Sequence, residues 1–176
     1  ALALEARRRW ADGNLIHRFA SPAPVRQVYA ESAEEMLNAV MAEVGRGCDA
    51  LIGAAAVADY TLDPAAEKIK SGQDLVLRLK PTRKILKAVR DAYPRLKIVG
   101  FKAETGLDDE QLAARAEQSL RDTDLDLVVA NDVARGGMGT DDNRVLIIDR
   151  QGRRHEAAGR KSLIARSIID ALVEVL

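Results

Sequence analysis

The sequence predicts an α/β fold, a three-layer sandwich on a mostly parallel sheet with a β-hairpin flap projecting from it. Three observations predict it. Short apolar runs at 50–57, 97–101 and 125–130 read as strands buried on both faces. Segments with apolar residues at helical spacing alternate with those runs. The stretch 67–80 interrupts the alternation with apolar residues two apart, as a hairpin requires. The chain has 176 residues and an apolar fraction of 47%. At roughly 150 residues per domain that is one domain with material for a substantial core.

Residues 1–11 read as helix, because Ala, Leu, Glu and Arg are strong helix formers. Arg8 and Arg9 belong to its solvated face. Leu15, Ile16 and Phe19 suggest a short strand before the loop Ser21-Pro22-Ala23-Pro24. Ser32 with Glu35 has capping-box spacing, and Met36, Leu37, Val40, Met41 and Val44 then share one helical face up to Gly45. The run 50–57 fits a buried parallel strand and its exit. In the flap, Leu75, Leu77 and Leu79 point one way while Val76, Arg78 and Lys80 point the other, and Ser71-Gly72 separates them from Glu67-Lys68-Ile69-Lys70. Residues 83–92 read as a helix stopped before Pro94. Lys97–Phe101 is the second core strand. Asp108 caps a helix carrying Leu112, Ala116 and Leu120. Leu125–Ala130 and Arg144–Asp149 are two more strands, and Gln151-Gly152 turns the latter toward a short strand near His155. Residues 160–176 form a last helix with Ile164, Ile168, Leu172 and Val175 on one stripe. Strands alternating with helices make a doubly wound, Rossmann-like sheet the economical architecture.

Composition excludes several classes. Lys plus Arg number 27 and Asp plus Glu number 27, so no net charge draws the chain to nucleic acid or a membrane surface. Aromatic residues, at 3%, are too few for a base-stacking platform. The one cysteine, Cys48, excludes an internal disulfide and a thiolate metal cluster. No apolar run approaches the roughly 20 residues of a membrane span. These priors point to a cytoplasmic domain that handles small molecules. Ala1–Ala6 has neither an initiator Met nor a signal peptide, which reads as entry partway through a helix.

In an open parallel sheet the ligand crevice lies beyond the carboxyl ends of the strands. The three core strands exit through Ala54–Tyr60, Gly100–Thr105 and Ala130–Val133, each offering small or polar groups. Alanines at 54–56 let a ligand approach the backbone, or let a helix pack tightly. Asp59 can accept from a ribose hydroxyl or an exocyclic amine, or cap the next turn. Phe101 can pack on a base or fill the core. Lys68 and Lys70, two apart, face one side of the flap and suit either a polyphosphate clamp or protection of a sheet edge. No Walker A motif and no Gly-x-Gly-x-x-Gly after a strand is present. Gly136-Gly137-Met138-Gly139 reads as a surface loop. His17 and His155 stand far apart, which leaves a His-based triad or zinc site without support.

Ala54-Ala55-Ala56-Val57-Ala58-Asp59-Tyr60, Glu67-Lys68-Ile69-Lys70-Ser71, Val99-Gly100-Phe101-Lys102-Ala103-Glu104-Thr105 and Leu127-Val128-Val129-Ala130-Asn131-Asp132-Val133, in that order, resemble the phosphopantothenate–cysteine ligase family. The likeness spans nearly the whole chain, and Lys80-Pro81-Thr82 with Gly100-Phe101-Lys102 is similar to archaeal members. The resemblance implies a step of coenzyme A synthesis. CTP, or ATP, activates the carboxylate of 4′-phosphopantothenate as an acyl-nucleotidylate, and the amine of cysteine then displaces the nucleoside monophosphate. It implies a homodimer, Mg²⁺ held mainly by phosphate oxygens and water, and FMN only in a decarboxylase domain fused upstream. By position it implies Lys68 as the catalytic flap lysine and Ala55, Asp59, Thr82, Arg83, Lys84, Ile85 and Phe101 as further nucleotide contacts. Asn131 would stand at the substrate end, near the dimer contact. No metal-binding residue is assigned.

Three departures qualify the likeness. The family's first strand, with a glycine-rich nucleotide loop and an Arg-x-x-x-Asn segment, is expected before residue 1, so that 1–176 is a ligase domain lacking that strand and loop. Ser119 and Thr123, with Arg121 between them, stand where bacterial members carry two lysines. Arg83 replaces a bacterial Asp. Two other classes stay open: an inactive dimerisation or scaffold module of the same fold, and a dinucleotide-dependent oxidoreductase domain.

Overall fold

A computed structural model describes residues 1–176 apart from Ala20, Pro22, Gln73, Gly137 and Met138. Its elements are α1 (Leu2–Arg8), β1 (Asn14–His17), β2 (Arg26–Tyr29), α2 (Ala33–Gly45), β3 (Ala50–Gly53), β4 (Tyr60–Thr61), β5 (Lys80–Pro81), α3 (Ile85–Ala92), β6 (Lys97–Glu104), α4 (Asp109–Thr123), β7 (Leu127–Asp132), a 3-10 turn (Val133–Arg135), β8 (Asp142–Asp149), β9 (Arg154–Arg160) and α5 (Lys161–Val173). The main sheet has the order β3-β6-β7-β8-β9. Parallel pairing joins β3 to β6 and β6 to β7, and antiparallel pairing joins β7 to β8 and β8 to β9. Two small sheets stand apart, β1–β2 parallel and β4–β5 antiparallel.

Two apolar layers flank the main sheet. On one face Val40 and Val44 of α2, Val89 of α3 and Leu112, Ala116 and Leu120 of α4 cover Ile98, Val128 and Ile148. On the other, Ile164, Ile168 and Leu172 of α5 cover Val99, Leu127, Val129 and Ile147, with Leu2 of α1 alongside. This is the expected three-layer, Rossmann-like α/β sandwich. Gly53 and Gly100, paired across β3 and β6, let the first layer sit close. A Cβ on Gly100 would lie 2.5 Å from Leu125 Cδ1, and one on Gly53 would lie 2.6 Å from Leu86 Cδ2. Real Cβ atoms do not approach that closely, so Leu86 of α3 and Leu125 of the connection into β7 occupy the room that two missing side chains leave.

The expected helix starts hold. Ser32 accepts from the Glu35 amide, and Asp108 accepts from the Gln111 amide at 2.8 Å, each completing a capping box. The predominance of parallel pairing ends at β7 for a local reason. Asp149 Oδ1 accepts from the Gln151 and Arg153 amides, and Gly152 has a φ of 81° that suits a tight reversal. That hairpin sends β9 back beside β8.

Three expectations need correction. The flap is closed by Tyr60–Thr61 against Lys80–Pro81, and Glu67–Lys70 and Leu75–Leu79 form no strands. Those residues are all exposed, and a two-stranded ribbon without a covered apolar face is marginal alone. β2 was not foreseen, because Arg26-Gln27-Val28-Tyr29 carries little apolar content. Arg9 is not merely solvated: it reaches Glu5 at 3.1 Å and Asp170 at 2.6 Å, pinning α1 to α5. The Pro22 position of the first loop and the Gly137–Met138 centre of the glycine-rich loop lie outside the described residues.

At the amino ends of the parallel strands, Arg90 of α3 is buried, its side chain 5% exposed. It donates to the carbonyls of Asp124 (2.8 Å), Pro94 (2.7 Å) and Leu96 (2.8 Å), and to Asp126 Oδ2 at 2.6 Å. The same Asp126 oxygen accepts the Ile98 amide at 2.9 Å. Removing the guanidinium takes the arginine from a buried carboxylate and this donor from the Pro94 and Leu96 carbonyls, while the Asp124 carbonyl keeps Arg150. Arg90→Ala should lower unfolding stability by about 3–5 kcal/mol, on the scale of breaking a buried ion pair. Urea titration should show a lower midpoint with an unchanged slope, and an unchanged midpoint would contradict this account of the anchor.

Candidate functional site

Because β3, β6 and β7 run parallel, their carboxyl ends open on one side of the sheet. β3 stops at Gly53, while β6 and β7 continue in register to Glu104 and Asp132. The longer strands therefore overhang the exit of β3, and Ala54, Ala55 and Ala56 leave it exposed.

The base of the flap is tied to this exit. The Thr82 amide donates to the Asp59 carbonyl at 2.9 Å, next to the β4–β5 ladder. Lys84, the residue before α3, places its ammonium on the Asp59 carboxylate. Lys102 of β6 also acts on Asp59. The hydrogen bond from Lys84, then its charge, and to a lesser degree the charge of Lys102, hold the Asp59 carboxyl below the ordinary carboxylate range. Lys102 in turn meets Glu104 at 3.1 Å. Carboxylates and ammoniums thus alternate along one rim. Beside them the Thr82 hydroxyl oxygen is buried, with no hydrogen-bond partner among the described residues.

Strand alternation splits the remaining positions between the faces. Lys102 lies on the face of Ile98 and Gly100, toward α3. Phe101 lies on the opposite face, half-buried against the layer that α5 covers. Ala103 pairs with Asn131 and Phe101 pairs with Val129, so Phe101 and Asn131 are diagonal neighbours on that face. Ile85 begins α3 and packs against the first core layer.

The structure therefore gathers Asp59, Thr82 and Lys84, and aligns Phe101 with Asn131 at the ends of adjacent strands. Ala55 is exposed at the exit of β3, and Arg83 is exposed between Thr82 and Lys84. Lys68 is brought to neither group. It lies on the exposed segment between β4 and β5, where Lys68 and Lys70 have no polar partner among the described residues. Sequence reading gave no role to Lys102, Glu104 or Asp132. Alternation after Phe101 was the available signal for the first two. Asp132 carried only the signal of an Asp two residues before a turn amide, Ala134; its link to Gly106, 26 residues earlier in the chain, carried none.

A hollow of about 170 Å³ lies beside the crevice, between α4 and β8–β9. Asp109, Asp132, Arg135, Arg144 and Glu156 rim it over a floor that includes Leu112 and Val145. Hydrogen bonds from Arg144, with the charge of Arg135, hold the Asp109 carboxyl down at about 2. Each of these charges already has a partner of opposite sign. Among the described residues no three His, Cys, Asp or Glu side chains form a metal cluster, and no helix is long and apolar enough to cross a membrane.

The chain is 38% identical over 180 residues to the coenzyme A biosynthesis bifunctional protein CoaBC of Thermococcus kodakarensis, which covers all of this chain and 44% of that protein. It thus spans less than half the length of that curated relative. The solved C-terminal domain of a CoaBC protein superposes with a TM-score of 0.76 at 28% identity, over 96% of this chain and 76% of that one. A DNA/pantothenate metabolism flavoprotein from Streptococcus pneumoniae shares the fold, with a TM-score of 0.80 at 22% identity over 97% of this chain and 84% of that one. The family model of the DNA/pantothenate metabolism flavoprotein C-terminal domain matches residues 1–176. The chain belongs to that family.

Proposed function

We propose that this chain carries the phosphopantothenate–cysteine ligase activity of coenzyme A biosynthesis, working in the cytoplasm with CTP as the activating nucleotide. The observation that carries the reading is the rim at the strand ends, where Asp59, Lys84 and Lys102 meet beside a buried, partnerless Thr82 hydroxyl. A buried hydroxyl without a partner costs stability unless a ligand satisfies it.

In the proposed reaction a carboxylate oxygen of 4′-phosphopantothenate attacks the α-phosphorus of CTP, and pyrophosphate leaves. The cysteine amine then attacks the acyl carbon, the C–O bond to phosphorus breaks, and CMP departs as the amine loses a proton. Negative charge builds on the triphosphate in the first step. Lys84 and Lys102 stand at the rim to meet it, and Lys68, uncommitted on the flap, is free to swing in over the phosphates. Ala55 leaves the backbone open to the ligand, and Thr82, Arg83, Lys84 and Ile85 line the nucleotide end. Phe101 and Asn131 share one face, which suits a junction where nucleotide and acyl group become one molecule. Phe101 supplies an apolar wall on the nucleotide side, and the Asn131 amide supplies hydrogen bonds on the pantothenate side.

Mg²⁺ accompanies the triphosphate in this reading and supplies charge neutralisation. The donor set fits an ion bound through phosphate oxygens and water, since the nearby carboxylates Asp59 and Glu104 are each turned to a lysine. A homodimer is part of the proposal. Tyr60, Ile69, Leu75, Val76 and Leu77 of the flap are exposed, and a second subunit would cover such an apolar arm. The proposal also takes 1–176 as a phosphopantothenate–cysteine ligase domain.

Three outcomes are expected of the complete protein. CTP with Mg²⁺ at about 100 times its dissociation constant should stabilise the fold by about 2.7 kcal/mol, seen as a rise in melting temperature. A response to NAD(P) instead would favour oxidoreductase chemistry, and none to any nucleotide would favour a scaffold. Lys68→Gln should slow nucleotidylate formation, measured as pyrophosphate release, by about 100-fold or more. A rate near that of the parent would return Lys68 to protecting an exposed segment. Lys84→Met should raise the Asp59 midpoint in an NMR titration. Folding lowers that pKa, so what Asp59 adds to stability is present above the ordinary carboxylate range and is lost as pH falls through the lowered value. An unmoved midpoint would remove Lys84 as the cause.

A further inference from the structure

We infer that Asp132 is a positioning residue for the crevice, fixing the exits of β6 and β7 relative to each other and thereby setting where Asn131 stands. The inference rests on the ligase reading for the identity of the ligand, though not for the geometry.

The Asp132 side chain is only 5% exposed. Its Oδ1 accepts the Gly106 amide at 3.0 Å and the Ala134 amide at 2.9 Å. Gly106 belongs to the turn that leaves β6, and Ala134 to the turn that leaves β7. One carboxylate oxygen thus joins the two turns that wall the crevice. Strand pairing alone stops at Glu104↔Asp132, so beyond that register no ladder holds the exits together. Gly106 has a φ of 70°, a backbone region that favours glycine, which lets its amide turn back to the carboxylate.

The other oxygen faces Arg135, whose Nε lies 3.4 Å away. Arg135 also donates to the Leu107 carbonyl at 3.1 Å and to Asp109 at 2.9 Å. Arg144 then grips Asp109 with two bonds, at 2.8 and 2.9 Å, and Glu156 with two more, at 2.6 and 2.7 Å. The network runs from the β9 edge through the start of α4 to the two exits. Its charges are mutually satisfied, so it holds backbone in place and offers no cation to a ligand. Asn131 is adjacent in sequence and projects to the opposite face of β7. Any shift of the Asp132 anchor moves Asn131 with it, and misplacing a ligand contact by about 1 Å can cost on the order of 100-fold in rate.

The test is a double-mutant cycle in the complete protein. Asp132→Ala should lower kcat/KM for 4′-phosphopantothenate by about 100-fold. Asp132→Asn keeps an acceptor for both amides and should stay within about threefold of the parent, because the lost charge faced a half-exposed arginine. In an Asn131→Ala background, Asp132→Ala should cost almost nothing further, since it acts through the side chain already removed. Additive losses, or equal losses in the Asn and Ala variants, would overturn the inference. Backbone amide exchange provides a readout that needs no turnover. Asp132→Ala should speed exchange at Gly106 and Ala134 and disturb the Asn131 amide, while Asp132→Asn should leave all three protected. Unchanged exchange in Asp132→Ala would also overturn it. If the parent protein forms no amide product, the ligase reading fails, and exchange alone decides the role of Asp132.

Discussion

The buried pair between Arg90 and Asp126 is the constraint on which the rest of this fold depends. One guanidinium collects the end of α3, the turn into β6 and the turn into β7. The carboxylate it meets also receives the first inward amide of β6. Parallel strands have no hairpin to join them directly, and contacts at their amino ends help to hold them together. Here an ion pair does so, and it costs desolvation that only a full set of hydrogen bonds offsets. Lys97 and Arg150 add their charges at 3.9 and 3.6 Å from Asp126, but from the more exposed side. The Arg90–Asp126 pair holds β6 and β7 together at their amino ends, and both strands run on past Gly53, the last residue of β3 in the ladder. That overhang is the crevice.

Sequence reading reached the layers because the information for them is local. Capping boxes at Ser32 and Asp108, the helical spacing of Ile164, Ile168 and Leu172, and the apolar runs of the core strands each sit within a few residues of what they determine. It missed what depends on distant partners. The flap sequence alternates like a strand, yet Leu75, Val76 and Leu77 are exposed, with no covering layer among the described residues, and form no strand. β2 needed β1 beside it before its polar sequence could be read as a strand. Neither failure is one of propensity. Both are failures of context, which one chain read linearly does not contain.

The site was legible by the same division. Asp59, Thr82 and Lys84 came from motif position, and they do meet at the base of the flap. Lys68 came from motif position too, and lies away from them, because the segment that carries it has nothing to rest on. Phe101 and Asn131 were separable only by role until register placed them diagonally on one face. Asp132 was legible only as a cap of the turn after it, and its hold on Gly106 was not, since that depends on a distant turn folding back to it.

The contrast between exposed and buried ion pairs follows from this arrangement. Asp59 with Lys84 and Lys102 with Glu104 sit at the rim, where solvent screens them and each pair adds little to stability. Such pairs exchange readily, and in the proposed reaction an incoming triphosphate would take both ammoniums through charge-assisted hydrogen bonds. Asp126 and Asp132 are tied to backbone amides away from water, where losing a partner leaves an unpaired charge in a poor solvent. A ligand cannot recruit them without loosening the strands. Charge that is weakly held faces the crevice, and charge that is strongly held fixes the two ends of β7, so the rim can change partners while the strand ends that define it stay where they are.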